Sequence, residues 1–124
     1  MPHILIIDDD ATIRTLLTKL LANEGLDVTV AENGRVAEAL LNTKNFDVVI
    51  TDLVMPEKEG LEMIIDIMRT RPTLPVIAVS GDNRIDRQTC LEMARHLGAR
   101  HTFVKPIDIV RFMDAVRECL QGDR

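Results

Sequence analysis

The stretch LIIDDD, residues 5–10, places three apolar residues directly before three carboxylates. The run Ile4–Ile7 has the length and unbroken hydrophobicity of a short strand buried on both faces, as in a parallel sheet. Adjacent acids repel one another, so Asp8 and Asp9 add nothing to the stability of such a strand. Asp10 is expected to cap a following helix, since Asp is a favoured N-cap residue. The stretch therefore predicts a parallel sheet whose carboxyl edge carries polar chemistry.

Similar apolar runs recur along the chain, and amphipathic segments separate them. Further strands are predicted at Asp27–Ala31 and in the segments FDVVITD, LPVIAVSG and HTFVKP. Apolar residues at helical spacing follow each strand and predict five helices. A strand–helix unit repeated five times predicts an α/β fold, with a parallel sheet, helices on both faces and right-handed crossovers. The second strand is the weakest and is expected near a sheet edge.

Length, composition and charge narrow the class of protein. The chain has 124 residues, 46% hydrophobic and 28% charged, which predicts one domain over residues 1–124. Its net charge of −5 disfavours nucleic acid as a partner. No apolar run approaches the roughly 20 residues of a membrane span, and the start is unlike a signal peptide, so we expect a cytoplasmic protein with no membrane partner. Cys90 and Cys119 fall in helical patterns and are expected to be reduced packing residues.

Reactive side chains end four of the five predicted strands. Asp8 and Asp9 follow the first strand, Asp52 ends the third, Ser80 the fourth and Lys105 the fifth. In an open parallel sheet, ligands bind beyond the carboxyl ends of the strands. These side chains are therefore expected to gather at one edge of the sheet.

The gathered residues suggest a metal-assisted phosphoryl site. Neighbouring strands lie about 4.8 Å apart, so Asp9 and Asp52 would nearly touch if the first and third strands are neighbours, with Asp8 beside them. Mg²⁺ between them would relieve their repulsion, because it is a hard cation that prefers carboxylates, waters and phosphate oxygens. Lys105 on the far side and the Ser80 hydroxyl would complete a cradle for a transferring phosphoryl group. One carboxylate could itself be the nucleophile and form an aspartyl phosphate.

Four segments, ILIIDDD, VVITDLVMPEKEGLEM, PVIAVSGD and FVKPID, resemble the receiver domain of bacterial response regulators in two-component signalling. The resemblance covers residues 3–120. Its specific feature is D-x-x-M-P-x-x-x-G after an apolar strand, combined with a later strand that ends in Lys-Pro. It implies a flavodoxin-like (βα)5 fold, a doubly wound parallel sheet with strand order 2-1-3-4-5. It also implies a signalling phosphoacceptor that catalyses only its own phosphorylation and dephosphorylation, and not an enzyme in the usual sense.

The resemblance implies a role in phosphoryl transfer for three residues. Asp52 would accept the phosphoryl group from the phosphohistidine of a sensor histidine kinase. Ser80 would move toward the phosphoryl group and hydrogen-bond to it, and Lys105 would pair with its oxygens. The Lys105–Pro106 bond is typically cis in this family.

The resemblance also implies a Mg²⁺ site. Asp9 would ligate the ion directly, Asp8 would assist through a water molecule, and Asp52 would be a further ligand. Val54 would offer its backbone carbonyl, so its side chain would not matter for that contact. Gly60 would lie near the start of the third helix and, with Met55–Pro56, shape the loop after the acceptor.

Two departures from the family pattern concern signal output. The family usually has Tyr or Phe three residues before the lysine, where this chain has Thr102. Phe103 should face the core, since a shift of one residue reverses a strand side chain. His101 is an alternative switch residue, although an exposed strand-edge histidine is the simpler interpretation. The segment between the fourth and fifth strands is also a few residues longer than usual, on the face where family members bind their targets.

Several functions stay open at this point. The chain is expected to act as a stand-alone receiver with no DNA-binding output domain, either as an adaptor that binds a downstream target protein or as a relay shuttle to a histidine phosphotransfer protein. A small Mg²⁺-dependent aspartyl-phosphate phosphatase is the alternative, with its nucleophile in a D-x-D at the first strand. A flavodoxin-like nucleotide binder and a receiver that signals without phosphorylation are further alternatives. The kinase, the target, the phosphoryl lifetime and the oligomeric state are not determined by the sequence.

Overall fold

The computed structural model describes residues 1–53, 60–81 and 87–121, without the side chains of Arg87, Gln88 and Cys90. Strands and helices alternate within these residues. The strands are β1 (His3–Ile7), β2 (Asp27–Ala31), β3 (Val48–Asp52), β4 (Val76–Ser80) and β5 (His101–Val104). The helices are α1 (Ala11–Asn23), α2 (Gly34–Thr43), α3 (Gly60–Thr70), α4 (Arg87–Leu97) and α5 (Ile109–Gln121). No helix among the described residues is long and apolar enough to cross a membrane.

The five strands form one parallel sheet in the order β2-β1-β3-β4-β5. This order confirms the flavodoxin-like fold and the expected edge position of β2. The order reverses direction at β1, so β1 and β3 are central neighbours. Ligand sites of doubly wound sheets lie at this switch point, beyond the carboxyl ends of the strands.

Each face of the sheet packs against its own set of helices. On one face, alternate strand residues such as Leu5 and Val49 pack with Ile64 of α3 and Ala94 of α4. On the other face, Ile4 and Ile6 and their neighbours in β3 and β4 pack against α1 and α5, through the side chains Leu17, Leu21, Phe112, Val116 and Cys119. Residues 4–7 have no exposed surface at all. The continuous apolar run of β1 is therefore explained by burial on both faces.

Local signals set the helix ends. Asp10 is the N-cap of α1, and its carboxylate accepts hydrogen bonds from the backbone N–H groups of Thr12 and Ile13. This confirms the capping role predicted for Asp10. Gly25 and Gly98 follow α1 and α4 with φ angles of 82° and 123°, a conformation that L-residues with a side chain rarely adopt.

Cys119 is 3% exposed in the core between α5 and the sheet, in agreement with the packing role expected from its helical pattern. The Cys90 side chain lies outside the described residues.

Candidate functional site

Strand register brings the predicted site residues to one edge of the sheet. Ile7 of β1 pairs with Thr51 of β3, so the next residues, Asp8 and Asp52, stand at the same level. At the other side of β4, the backbone N–H of Lys105 donates a 2.9 Å hydrogen bond to the carbonyl of Ser80. The edge is therefore built by the backbone ladder, and the side chains follow from it.

Three carboxylates meet at this edge. Asp8, Asp9 and Asp52 each offer an oxygen, and these oxygens all lie within 4.8 Å of one another. Asp8 and Asp52 are buried, at 3% and 6% exposure, whereas Asp9 is exposed. Asp8 and Asp52 thus form the buried side of the cluster, and Asp9 faces solvent.

Lys105 closes the cluster by contacting two of the acids. Its ammonium lies 3.0 Å from a carboxylate oxygen of Asp8 and 3.4 Å from one of Asp52. Lys105 was expected on the far side of the site, and its side chain reaches from the end of β5 to the Asp8 and Asp52 carboxylates. The hydroxyl-bearing Ser80 is 1% exposed at the end of β4, the strand beside β3.

Burial is the largest influence on the pKa of Asp8. It raises the pKa of Asp8 above its usual value, although the Asp10 N–H donates to this carboxylate at 2.9 Å and Lys105 pairs with it. For Lys105, burial acts to lower the pKa, but the Asp52 and Asp8 carboxylates outweigh it and the pKa is raised. One ammonium therefore only partly offsets three clustered carboxylates.

The donor set fits a hard divalent cation. The cluster offers carboxylate oxygens, it includes two buried acids, and its negative charge exceeds that of Lys105. Mg²⁺ is usually bound by one or two carboxylates together with waters and phosphate oxygens, a pattern these residues can supply. Asp8, Asp9 and Asp52 are the side chains that could hold it. Val54, Met55 and Pro56, to which the resemblance also gives roles, lie outside the described residues.

Two glycines allow the close approaches on which the site depends. A Cβ at Gly60, the first residue of α3, would overlap the backbone carbonyl oxygen of Asp52. A Cβ at Gly81 would lie 2.7 Å from Cδ and 2.8 Å from Cβ of Lys105. Gly60 was expected to shape the loop after Asp52, whereas no sequence pattern indicated that Gly81 makes room for Lys105. Only the pairing of β4 with β5 reveals that relation.

Arg14 is a further contact that sequence patterns do not reveal. Its guanidinium donates a 2.8 Å hydrogen bond to the backbone carbonyl of Asp8. The contact ties α1 to the turn that carries the acids. A polar residue in the first turns of an amphipathic helix is ordinary, so nothing in the sequence distinguished Arg14.

The positions around the predicted switch are paired differently from the family pattern. The Thr102 hydroxyl accepts a 2.9 Å hydrogen bond from Arg95 of α4. Phe103 turns to the core, as expected, and packs edge-on against Phe112 at 5.6 Å between ring centroids. The His101 ring pairs with Glu118 of α5 at 2.8 Å. The Lys105–Pro106 bond is cis, as the resemblance implied.

Comparison with known sequences identifies the family. The sequence profile of the response regulator receiver domain matches residues 4–117. The transcriptional regulator NtrC of Rhizobium meliloti is 32% identical over 117 residues, which are 94% of this chain and 24% of that protein. A protein-glutamate methylesterase/protein-glutamine glutaminase of Halobacterium salinarum is 38% identical over 107 residues, 86% of this chain and 30% of that protein. The chain thus spans about a quarter to a third of the length of these relatives.

Solved structures show the same fold. A response regulator receiver protein from Pseudomonas putida matches with a TM-score of 0.86 at 31% identity, over 94% of this chain and 96% of that one. The receiver domain of NtrX from Brucella abortus matches with a TM-score of 0.89 at 26% identity, over 97% and 99% of the two chains.

Proposed function

This chain belongs to the response regulator receiver family, and from that premise we propose that Asp52 accepts a phosphoryl group from the phosphohistidine of a sensor histidine kinase. The observation that carries the proposal is the Lys105 ammonium placed between Asp8 and Asp52, at 3.0 and 3.4 Å, beside the Asp9 carboxylate. A cation, a buried acceptor and a solvent-facing acid then surround the space where phosphoryl oxygens would lie.

In the proposed reaction a carboxylate oxygen of Asp52 forms a bond to phosphorus as the bond from phosphorus to the imidazole nitrogen breaks. The bonding electron pair leaves with the imidazole of the donor. Asp52 needs no base, since a carboxylate is ionised at neutral pH. A Mg²⁺ ion held by Asp8, Asp9 and Asp52, with the Val54 carbonyl, would supply the positive charge that phosphoryl oxygens require.

Lys105 and Ser80 would then contact the phosphoryl group on Asp52. Once Asp52 carries the phosphoryl group as an acyl phosphate, the Lys105 ammonium exchanges its carboxylate contact for phosphoryl oxygens, and the Ser80 hydroxyl donates a hydrogen bond to another oxygen. These contacts exist only in the phosphorylated state, so they bias an equilibrium between two conformations. A bias of about 1.4 kcal/mol changes the population ratio tenfold.

The proposed partners follow from the same chemistry. The donor is a sensor histidine kinase or a histidine phosphotransfer protein, and the output is binding to a downstream protein. The net charge of −5 favours a protein rather than a nucleic acid as that target. We further propose that this receiver domain acts in the cytoplasm as an adaptor or a relay shuttle.

The experiment that tests acceptance is intact mass spectrometry after incubation with acetyl phosphate, with and without Mg²⁺. We expect one added phosphoryl group on the wild type, none without Mg²⁺, and none on Asp52→Asn. Borohydride reduction should convert the phosphorylated Asp52 to homoserine. Peptide mapping should then find homoserine at position 52 and at no other aspartate.

A phosphatase-like enzyme would give the opposite pattern. Its nucleophile would lie at the first strand, so the added mass would persist in Asp52→Asn and map to Asp8 or Asp10. If acetyl phosphate modifies neither the wild type nor Asp52→Asn, the next test is transfer from a phosphorylated histidine kinase. If the wild type accepts no phosphoryl group from the kinase either, the acceptor role of Asp52 is rejected.

A further inference from the structure

A second group of metal-ligating side chains lies at the opposite end of β5 from Lys105. His101 begins β5, and Glu118 and Cys119 lie in the last turn of α5. One ligand atom from each, the imidazole nitrogen, a carboxylate oxygen and the thiol sulfur, all lie within 4.8 Å of one another. We call these three residues the His–Glu–Cys cluster.

We propose that the His–Glu–Cys cluster binds a borderline divalent cation of the zinc type, with water as the fourth ligand. Zn²⁺ is bound in proteins by imidazole, thiolate and carboxylate, commonly in tetrahedral geometry. Tetrahedral bonds of about 2.0–2.3 Å put the ligand atoms about 3.3–3.8 Å apart, which lies within the 4.8 Å span of the cluster. The site goes beyond the phosphoacceptor function and does not depend on it.

Hydrogen bonds already hold the three side chains of the cluster together. The His101 ring and the Glu118 carboxylate are 2.8 Å apart, and this hydrogen bond is the main reason that the pKa of Glu118 is lowered. The Cys119 thiol also interacts with Glu118. A metal ion would replace the shared proton, and the His101 nitrogen and the Glu118 oxygen, now 2.8 Å apart, would separate by roughly 0.5–0.8 Å.

Access from solvent is available on the histidine side. His101 and Glu118 line an open surface cavity of about 420 Å³, and Cys119 borders a separate one of about 260 Å³. Cys119 itself is 3% exposed, so the thiol would form the buried side of the site. The cavity beside His101 and Glu118 leaves room for the water ligand.

Charge in the cluster also suits a divalent ion. A thiolate, a carboxylate and a neutral imidazole carry two negative charges, which one Zn²⁺ would neutralise. Burial and the Glu118 charge raise the pKa of the Cys119 thiol to about 11, whereas Arg100 acts to lower it. Metal binding therefore has to displace a proton from sulfur, and the affinity should rise with pH.

The two sites of the chain would select different metals. The cluster of Asp8, Asp9 and Asp52 offers only oxygen, which suits Mg²⁺, whereas nitrogen and sulfur ligands favour zinc-type ions. They also lie at opposite ends of the sheet. An ion in the His–Glu–Cys cluster would tie the start of β5 to the last turn of α5.

Cobalt is the probe that tests this proposal, because a Co²⁺–thiolate bond gives charge-transfer absorption in the near ultraviolet. The full chain is titrated with Co²⁺ in a large excess of Mg²⁺. We expect one equivalent to produce the band in wild type, in Cys90→Ala and in Asp52→Asn, which retain the cluster. Cys119→Ala should lose the band, and His101→Ala should bind at least about tenfold more weakly.

Three results would overturn the proposal: no band in wild type at a large excess of Co²⁺, a band that survives in Cys119→Ala and disappears in Cys90→Ala, or unchanged affinity in both His101→Ala and Glu118→Gln. His101 and Glu118 are partly exposed, so their variants keep the test valid if Cys119→Ala does not fold. Competition by Zn²⁺ for the cobalt band then measures the affinity for zinc itself.

Discussion

At the scale of single residues, the acidic cluster contains one carboxylate, that of Asp8, that opposes folding once it is ionised. Asp8 is almost fully buried, and burial raises its pKa even though Lys105 and a backbone N–H contact it. A carboxyl group with a higher pKa in the folded chain favours folding while protonated and opposes it once ionised. Its contribution is therefore present below the unfolded pKa of about 3.9 and lost as the pH rises through the folded value.

Asp8→Asn should stabilise the metal-free protein at neutral pH. We expect a gain of about 1 kcal/mol at pH 7 that shrinks toward zero near pH 3, below the unfolded pKa, where Asp8 is largely protonated in both states. Urea unfolding at the two pH values measures it. Asp10→Asn is the matched control, because Asn also caps helices and the N-cap acid is exposed. A less stable Asp8→Asn at pH 7 would mean that the Lys105 ion pair outweighs desolvation.

Gly81→Ala should slow phosphorylation without contacting the acceptor. The new Cβ would lie 2.7–2.8 Å from carbons of Lys105, so the ammonium must leave its position between Asp8 and Asp52. We expect about a tenfold lower rate with acetyl phosphate, equal to about 1.4 kcal/mol in the barrier. Stopped reactions followed by intact mass give the rate.

The double variant Gly81→Ala/Lys105→Ala separates this effect from general damage. If the glycine acts through the lysine, adding Gly81→Ala to Lys105→Ala should cost little more. Gly25→Ala is a second control, because its Cβ would meet nothing within 4 Å. Equal rate losses in Gly25→Ala and Gly81→Ala would show that lowered stability, and not the position of Lys105, is the cause.

At the scale of secondary-structure elements, a glycine fixes the packing of α3 against α4. Gly98 ends α4 at φ 123°, and a Cβ there would lie 2.5 Å from Sδ of Met68 in α3. Gly98→Ala should therefore destabilise the fold by about 2–3 kcal/mol, of which roughly 1 kcal/mol or more is backbone strain. Gly25→Ala, with a similar backbone constraint at φ 82° and no contact, should lose only the strain term. Thermal and urea unfolding measure both.

Met68→Ala in the Gly98→Ala background tests the contact itself. Removing the thioether leaves room for the new methyl group, so the double variant should be more stable than the sum of the two single changes predicts. Strict additivity would place the whole cost of Gly98→Ala in the backbone.

The elements were largely predictable from sequence, because each depends on a local pattern. The apolar runs of β1, β3 and β4 are fully buried, and the weaker β2 is an edge strand. The approach of Asp8, Asp9 and Asp52 also followed from strand ends, since parallel strands carry their last residues to one edge. What was not predictable depends on side-chain direction and on contacts between distant segments.

The placement of Lys105 illustrates that limit. Its backbone position followed from the end of β5, but the direction of a four-carbon side chain is set by neighbours such as Gly81. The Arg14 contact with the Asp8 carbonyl and the pairing of His101 with Glu118 arise in the same way. The residues of each pair are separated in sequence or lie on different elements, so the periodicity of the sequence does not predict these contacts.

At the scale of the whole molecule, metal binding should stabilise the fold as one unit. A ligand that binds only the folded state at about 100 times its dissociation constant adds about 2.7 kcal/mol. For a chain of 124 residues this corresponds to a rise of roughly 10 °C in Tm.

A single domain over residues 1–124 should also unfold in one transition that far- and near-ultraviolet circular dichroism report alike.

We therefore expect saturating Mg²⁺ to raise the Tm of the wild type, and Na⁺ at equal ionic strength, without Mg²⁺, to leave the Tm unchanged. Asp9→Ala should abolish the shift while keeping the metal-free Tm close to that of wild type, because Asp9 is exposed and has no packing role to lose. His101→Ala should keep the full Mg²⁺ shift, since His101 lies at the opposite end of β5 from Lys105. A Mg²⁺ shift that survives in Asp9→Ala would remove Asp9 from the ligand set, and two separate transitions would contradict the single domain.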